Sequence, residues 1–259
     1  MNKVFALAGI VIKEMYRRKD FYVLFVLAAL LTLLAGSVNF FHDDKIVRYL
    51  KDICLLLIWV CSLIIALTTT ARQIPAEREQ RTIFPLLAKP VSRGQVILGK
   101  FLGCWLASAI ALLIFYLFFA IIVGSREQSW PINLYLQAYW MQLVMLGVVI
   151  AMALLGSIYF AAPSSTVTIC FILVAAILAV GGHLQRVALS EPEPLQSIVL
   201  IVYFIIPHLE WYDLRDFVVY SHDAASWIKI GEATVLAGGY AGFFLMLTWL
   251  GFRRKSLST

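Results

Sequence analysis

Charge is scarce in this sequence. Lys, Arg, Asp and Glu make up 14% of 259 residues, against about a quarter in a typical soluble domain. Hydrophobic residues take up the difference at 62%, and mean hydropathy is +0.88. Such a deficit excludes a water-solvated globule, a disordered chain and a coiled coil, and leaves an all-α integral membrane protein solvated mainly by lipid. Cysteine is also sparse. Cys54, Cys61, Cys104 and Cys170 all sit in apolar runs, with the spacing of neither a zinc site nor a disulfide framework, and read as small hydrophobes. Catalytic signatures are missing: there is no Gly-x-Ser-x-Gly elbow, no His-Glu-x-x-His and no close aspartate cluster for a metal-bound phosphate. His42, His183, His208 and His222 fall in or beside outer loops and read as solvated. Met141, Met145 and Met152 read as packing or lipid-facing residues. Among the apolar spans, Glu232 is the one ionisable residue well clear of basic loops. Ion-coupled transport needs such groups at depth, so energy for any transport is expected from outside the chain.

Six runs are long enough for the roughly 20 residues that a bilayer core requires. They are Phe21 to Phe41, Ile53 to Thr70, Phe101 to Val123, Tyr139 to Phe160, Thr166 to His183, and Gly231 to Phe252. Before them, residues 1–19 alternate apolar side chains with Lys3, Lys13, Arg17 and Arg18. That pattern predicts an amphipathic helix lying in the headgroup plane; without a convincing cleavage site it does not read as a signal peptide. Fourteen of the 21 Lys and Arg residues fall in the N-terminal segment, in residues 71–100, or at Arg253, Arg254 and Lys255. This bias predicts both termini on the cytoplasmic side. Leu195 to Ile206 is too short to cross and reads as a re-entrant or interfacial helix ended by Pro207, within an outer loop over residues 184–228. Glu191-Pro192-Glu193-Pro194 before it reads as a stiff turn, and Ala161 to Ser165 as a tight inner connection. The chain is read as one permease-like domain over residues 1–259.

Residues 71–100 form the densest polar stretch on the inner side. Gly94-Gln95-Val96-Ile97-Leu98-Gly99-Lys100 imitates the front of a P-loop, but Phe101 stands where Ser or Thr would hold magnesium, and no strand precedes it. It is not a nucleotide site. The stretch predicts a helix over Arg72 to Leu87, a break at Pro90, and a new helix capped by Ser92, with Gln95 completing a capping box. A charged helix held against the membrane face is suited to docking a cytoplasmic partner. Gly99-x-x-x-Gly103 and Gly238-x-x-x-Gly242 are spacings that let helices approach closely, within one chain or between two.

Glu77, Arg78, Glu79, Arg81, Thr82, Leu86, Leu87, Pro90, Val91, Ser92, Arg93, Gly99 and Lys100 stand in an order that resembles ATP-binding-cassette exporter permeases of the type-2 superfamily. Many relatives have Gly before the Thr; Arg81 at that place, and Pro-His-Leu-Glu-Trp at Pro207 to Trp211, look more like the subgroup containing the permease of nitrous-oxide-reductase maturation. The resemblance implies an elbow helix, six spans and short outer helices before the last span. It also implies that the chain hydrolyses nothing: ATP and magnesium would be bound by a separate cytoplasmic ABC ATPase subunit, leaving no catalytic, cofactor or metal residues here. Arg72, Glu77, Arg78, Glu79, Arg81, Thr82, Pro90 and Arg93 would form the ATPase-coupling segment. Two permease chains, identical or sister, would pair in the bacterial inner membrane, with Trp59, Ser62, Thr166 and Thr168 along the translocation path. The expected partners are therefore the ATPase, a second permease and membrane lipid, without nucleic acid. The apolar character points to an amphiphilic cargo. A membrane anchor that recruits a cytoplasmic complex would need the same loop, and a secondary transporter or membrane enzyme is the remaining alternative.

Overall fold

The structure, a computed structural model, describes residues 3–17, 22, 26, 29–30, 44–79, 92–127, 130–160, 162–190, 206–220 and 224–254. Among the described residues there are helices and no strands. They are α1 (Lys3–Tyr16), α2 (Asp44–Ala71), the short α3 (Pro75–Glu79), α4 (Arg93–Glu127), α5 (Ile132–Tyr159) and α6 (Pro163–Ser190). A 3₁₀ turn (Leu209–Tyr212), α7 (Arg215–Val219) and α8 (Trp227–Arg254) follow. Five of them, α2, α4, α5, α6 and α8, are long and apolar enough to cross a membrane. The 28 residues of α5 reach about 42 Å at 1.5 Å each, which exceeds a hydrocarbon core of about 30 Å.

Helix α5 is the centre. Of its most apolar stretch 89% is buried, against 22% for the equally apolar α6 and 17% for α8. Its few polar groups bind neighbours. The Gln142 amide donates to the Ser62 hydroxyl of α2 at 2.7 Å and its carbonyl accepts from Tyr116 of α4 at 3.0 Å. The Trp105 indole N–H of α4 donates to the Leu143 carbonyl at 2.9 Å, and the Tyr139 phenol donates to the Ala109 carbonyl at 3.2 Å. In lipid, where apolar surface gives little preference for protein over solvent, such bonds and close packing hold helices together. Met141, Met145 and Met152 are all buried, so they serve packing and do not face lipid.

Helix α1 lies against the first turns of α4. A Cβ on Gly99 would sit 2.7 Å from the Leu7 Cβ, and one on Gly103 would sit 2.7 Å from the Val11 Cβ and 3.0 Å from the Ala8 Cα. The first glycine spacing therefore seats α1 within the chain. Nothing lies within 4 Å of a Cβ built on Gly238 or Gly242.

The helices overrun the expected spans because backbone hydrogen bonding continues into polar flanks that hydropathy does not mark. Helix α2 thus begins at Asp44 and includes Lys51, which is buried, and Asp52. Of the span expected over Phe21 to Phe41, only residues 22, 26, 29 and 30 are described, and all are helical. The turn expected at Glu191 to Pro194 and nearly all of the segment 195–206 lie outside the described residues. The helix expected from Arg72 starts instead at Pro75, after a turn. Proline has no N–H to give and its φ suits a first helical turn, so it opens α3. Ala for Gly103 is expected to lower the thermal unfolding temperature of the detergent-solubilised chain, since overpacking costs about 1–3 kcal/mol. Ala for Gly239, where nothing lies within 4 Å, should leave it unchanged.

Candidate functional site

The polar residues at one end of the bundle converge on Lys100, two turns into α4 and only 4% exposed. Its ammonium lies 2.8 Å from Glu77 Oε1 and donates to the Gln73 carbonyl at 2.8 Å and to Gln73 Oε1 at 3.4 Å. Three acceptors thus meet the three donors of the group. The Gln73 amide reaches Glu14 Oε2 of α1 at 3.5 Å and the Thr69 carbonyl at 3.4 Å. One buried cation therefore joins α1, the end of α2, α3 and α4.

Local sequence explains the arrangement. The last carbonyls of a helix lack intrahelical partners. Helix α2 ends at Ala71, and a turn closed by Gln73 N–H to the Thr70 carbonyl, 3.1 Å, leaves the Gln73 carbonyl for Lys100. Pro75 then starts α3, which carries Glu77 to the same ammonium. Desolvating an ammonium and a carboxylate is costly, and loss of one partner from a buried pair costs about 3–5 kcal/mol.

The head of α4 makes two more ties. The Ser92 N–H donates to Gln95 Oε1 at 3.1 Å and the Gln95 N–H donates to the Ser92 hydroxyl at 3.3 Å, the reciprocal capping box expected from sequence. Arg93 donates from Nη1 to the carbonyls of Phe252, 3.1 Å, and Arg253, 3.0 Å, and its guanidinium stands 5.9 Å over the Phe252 ring. A cation at the carbonyl end of α8 meets the negative end of the helix dipole.

Of the residues proposed for ATPase coupling, Glu77 faces Lys100, Arg93 binds the end of α8, and Arg72 is exposed in the turn. Arg78 and Glu79 belong to α3, but their side chains lie outside the described residues, as do Arg81, Thr82 and Pro90 altogether. The proposed path residues do not share one site. Ser62 and Thr166 are buried at 1% and 0% exposure, Thr168 is exposed and Trp59 is half-buried. Thr166 also packs at Gly156, near the opposite end of α5 from Gln142. Glu14 and Gln73 escaped the sequence reading; the available signal was a lysine, Lys100, placed directly before a 23-residue apolar run, where it could only be buried or snorkel.

At the far end, the 3₁₀ turn and α7 fold back onto α2, α5 and α6. Arg215 binds Asp213 through Nε, 2.9 and 3.0 Å, and Nη2, 2.7 Å, and lies 5.6 Å over the Trp59 ring. The hydrogen bonds to Asp213 raise the guanidinium pKa above its ordinary value. All four cysteines are buried and none forms a disulfide. No group of three metal-ligating side chains gathers among the described residues.

Long apolar helices around a buried core define a multi-pass membrane protein. The family model described as ABC-2 family transporter protein matches residues 6–257, and the chain belongs to that family. Its class is therefore the membrane permease of an ABC transporter, a transport component rather than a catalytic one, and such permeases generally work with a cytoplasmic ATPase subunit. No curated protein matches the chain.

Met for Lys100 leaves the Glu77 carboxylate facing a buried hydrophobe and is expected to destabilise the protein by about 3–5 kcal/mol. Adding Gln for Glu77 should recover most of that loss. Thermal unfolding of the wild type, both single variants and the double variant checks the coupling, which a merely additive outcome would contradict.

Proposed function

We propose that this chain is one of two permeases in an exporter whose ATP is hydrolysed by a separate cytoplasmic subunit. The end of the bundle that carries Lys100, Arg93 and Arg253 faces the cytoplasm of a bacterial inner membrane, as the Lys and Arg distribution favours. The observation that carries this reading is the Lys100 knot. Hung from a loose loop, α3 would absorb a push; bound to a buried ammonium on α4, it passes the displacement on to α1 and α4. Arg93 extends the same linkage to α8.

In this reading Arg78, Glu79, Arg81 and Thr82 meet the ATPase cleft, where opposed charges fix register, while Glu77 and Arg93 hold the coupling segment from within the chain. ATP-driven approach of two ATPases pushes the segment of each permease and switches the pair between states open to opposite sides. The second permease is an identical or sister chain. The thinly covered α6 and α8 offer it apolar surface, and the cargo is amphiphilic. Arg81 and the Pro207 to Trp211 segment favour the subgroup of the nitrous-oxide-reductase maturation permease.

The chain purified from its host in mild detergent is expected to bring a P-loop ATPase in stoichiometric amount. Reversal of Glu79 or Arg81 should abolish ATP-dependent transport while leaving membrane insertion intact. A chain that purifies alone, or full transport by both reversed variants, would overturn the reading.

A further inference from the structure

Helices α4, α5 and α8 do not close against one another along their whole length. Between α4 and α8, with α5 as its floor, they leave an open slot of about 400 Å³. Its lining residues all lie inside the three apolar spans. One wall is flat: Phe101 and Trp105 of α4 stack with their rings 6.5 Å apart and 7° from parallel. The other wall is bare, since nothing lies within 4 Å of a Cβ built on Gly238 or Gly242 of α8. At the floor, Gly147 lets the Trp105 ring come down onto α5; a Cβ there would stand 3.2 Å from the indole nitrogen. Rings on one side and missing side chains on the other make the slot.

The slot asks nothing polar of an occupant. Trp105 gives its N–H to the Leu143 carbonyl at 2.9 Å. Trp140 gives its own to the Thr234 hydroxyl at 3.1 Å, and that hydroxyl donates to the Ile230 carbonyl at 2.7 Å. Among the described residues that line the slot, none is charged. An occupant with a charge or an unmet hydrogen bond would be penalised at this depth. Size narrows the choice again. One turn of helix, about 10 Å across and about 5.4 Å tall, already needs about 400 Å³. A transmembrane helix, from a second copy or from this chain, would therefore rest on the rim and leave the slot unfilled. A methylene takes roughly the space of a water in the liquid, about 30 Å³, so a chain of about a dozen fits.

We propose that the slot between α4 and α8 holds one acyl chain of a bilayer phospholipid, which stays with the protein as a bound lipid. Bulk lipid touches a span from one side. Here the chain meets three helices, and its dispersion contacts with the stacked rings and the glycine backbone add up. Close packing, rather than exclusion of water, decides affinity in such a setting. The site rests on the membrane placement of the chain and not on the exporter reading.

Native mass spectrometry of the delipidated full chain in detergent, titrated with palmitoyl-oleoyl phosphatidylcholine, tests it. The first lipid should bind at least tenfold more tightly than later ones. Gly242→Leu, alone or with Gly238→Leu, places a side chain in the open slot and should abolish the tight step without lowering the thermal unfolding temperature. Gly239→Leu, which does not line the slot, should keep it. A second titration needs no variant: dioctanoyl phosphatidylcholine, whose chains are too short to fill the slot, should bind the wild type at least tenfold more weakly at the first step. A wild-type chain with no tight first lipid, a tight step that survives both filling substitutions, or equal affinity for the short-chain lipid would overturn the proposal. So would a dimer that Gly242→Leu abolishes, because a second copy would then be what covers the slot.

Discussion

An ammonium group buried two turns inside α4 must find acceptors, and much of the polar end of this protein follows from that requirement. Lys100 takes a helix-end carbonyl and an amide oxygen from Gln73 and a carboxylate oxygen from Glu77. To supply them, α2 stops at Ala71, turns, and restarts at Pro75. Helix α1 joins through Glu14 and through the glycine faces at Gly99 and Gly103, where no side chain separates the two helices. Each link would be weak in water. In a low-dielectric setting, losing any one of them strands a charge, which makes the assembly cooperative.

The head of α4 is therefore a hub. Ser92 and Gln95 close its first turn, Arg93 grips the last carbonyls of α8, and Lys100 grips Gln73 and Glu77. Force applied to α3 has a short, stiff route into the membrane, through packed helices and ionic contacts. The far end is built differently. Its 3₁₀ turn and α7 are folded onto the bundle by hydrogen bonds to backbone carbonyls and by Arg215 over Trp59. It also retains polar atoms without partners at Trp59 Nε1 and Glu210 Oε2.

Much of the fold was legible in the sequence. Apolar run length marked the five described spans, and Ser92 with Gln95 marked the start of α4, because both signals are local. The seating of Gly99 and Gly103 was only half legible: the spacing announced a close approach, but its partner α1 is about 90 residues away in sequence. The knot was less visible still. Nothing near Lys100 shows that Gln73, 27 residues earlier, turns its carbonyl toward it, and Glu77 reads on its own as a solvated docking charge. The contact of Glu210 with Gly181 was hidden for the same reason, since a polar loop gives no sign that it folds back onto a glycine of a distant span. Helix starts are written in neighbouring residues, whereas the pairing of buried charges is written in the packing.

The central claim is that α1, the end of α2, α3 and the head of α4 move as one body. The most direct measurement is the distance between spin labels at positions 13 and 98, both exposed on α1 and α4, in the ATPase-bound complex without nucleotide and trapped with ATP. The account predicts a single sharp distance in both states, changed by no more than about 2 Å, the scale of shifts between packed helices. A slip of one helical turn, about 5 Å, or two separate populations, would show that α1 and α4 part during the cycle and would contradict it.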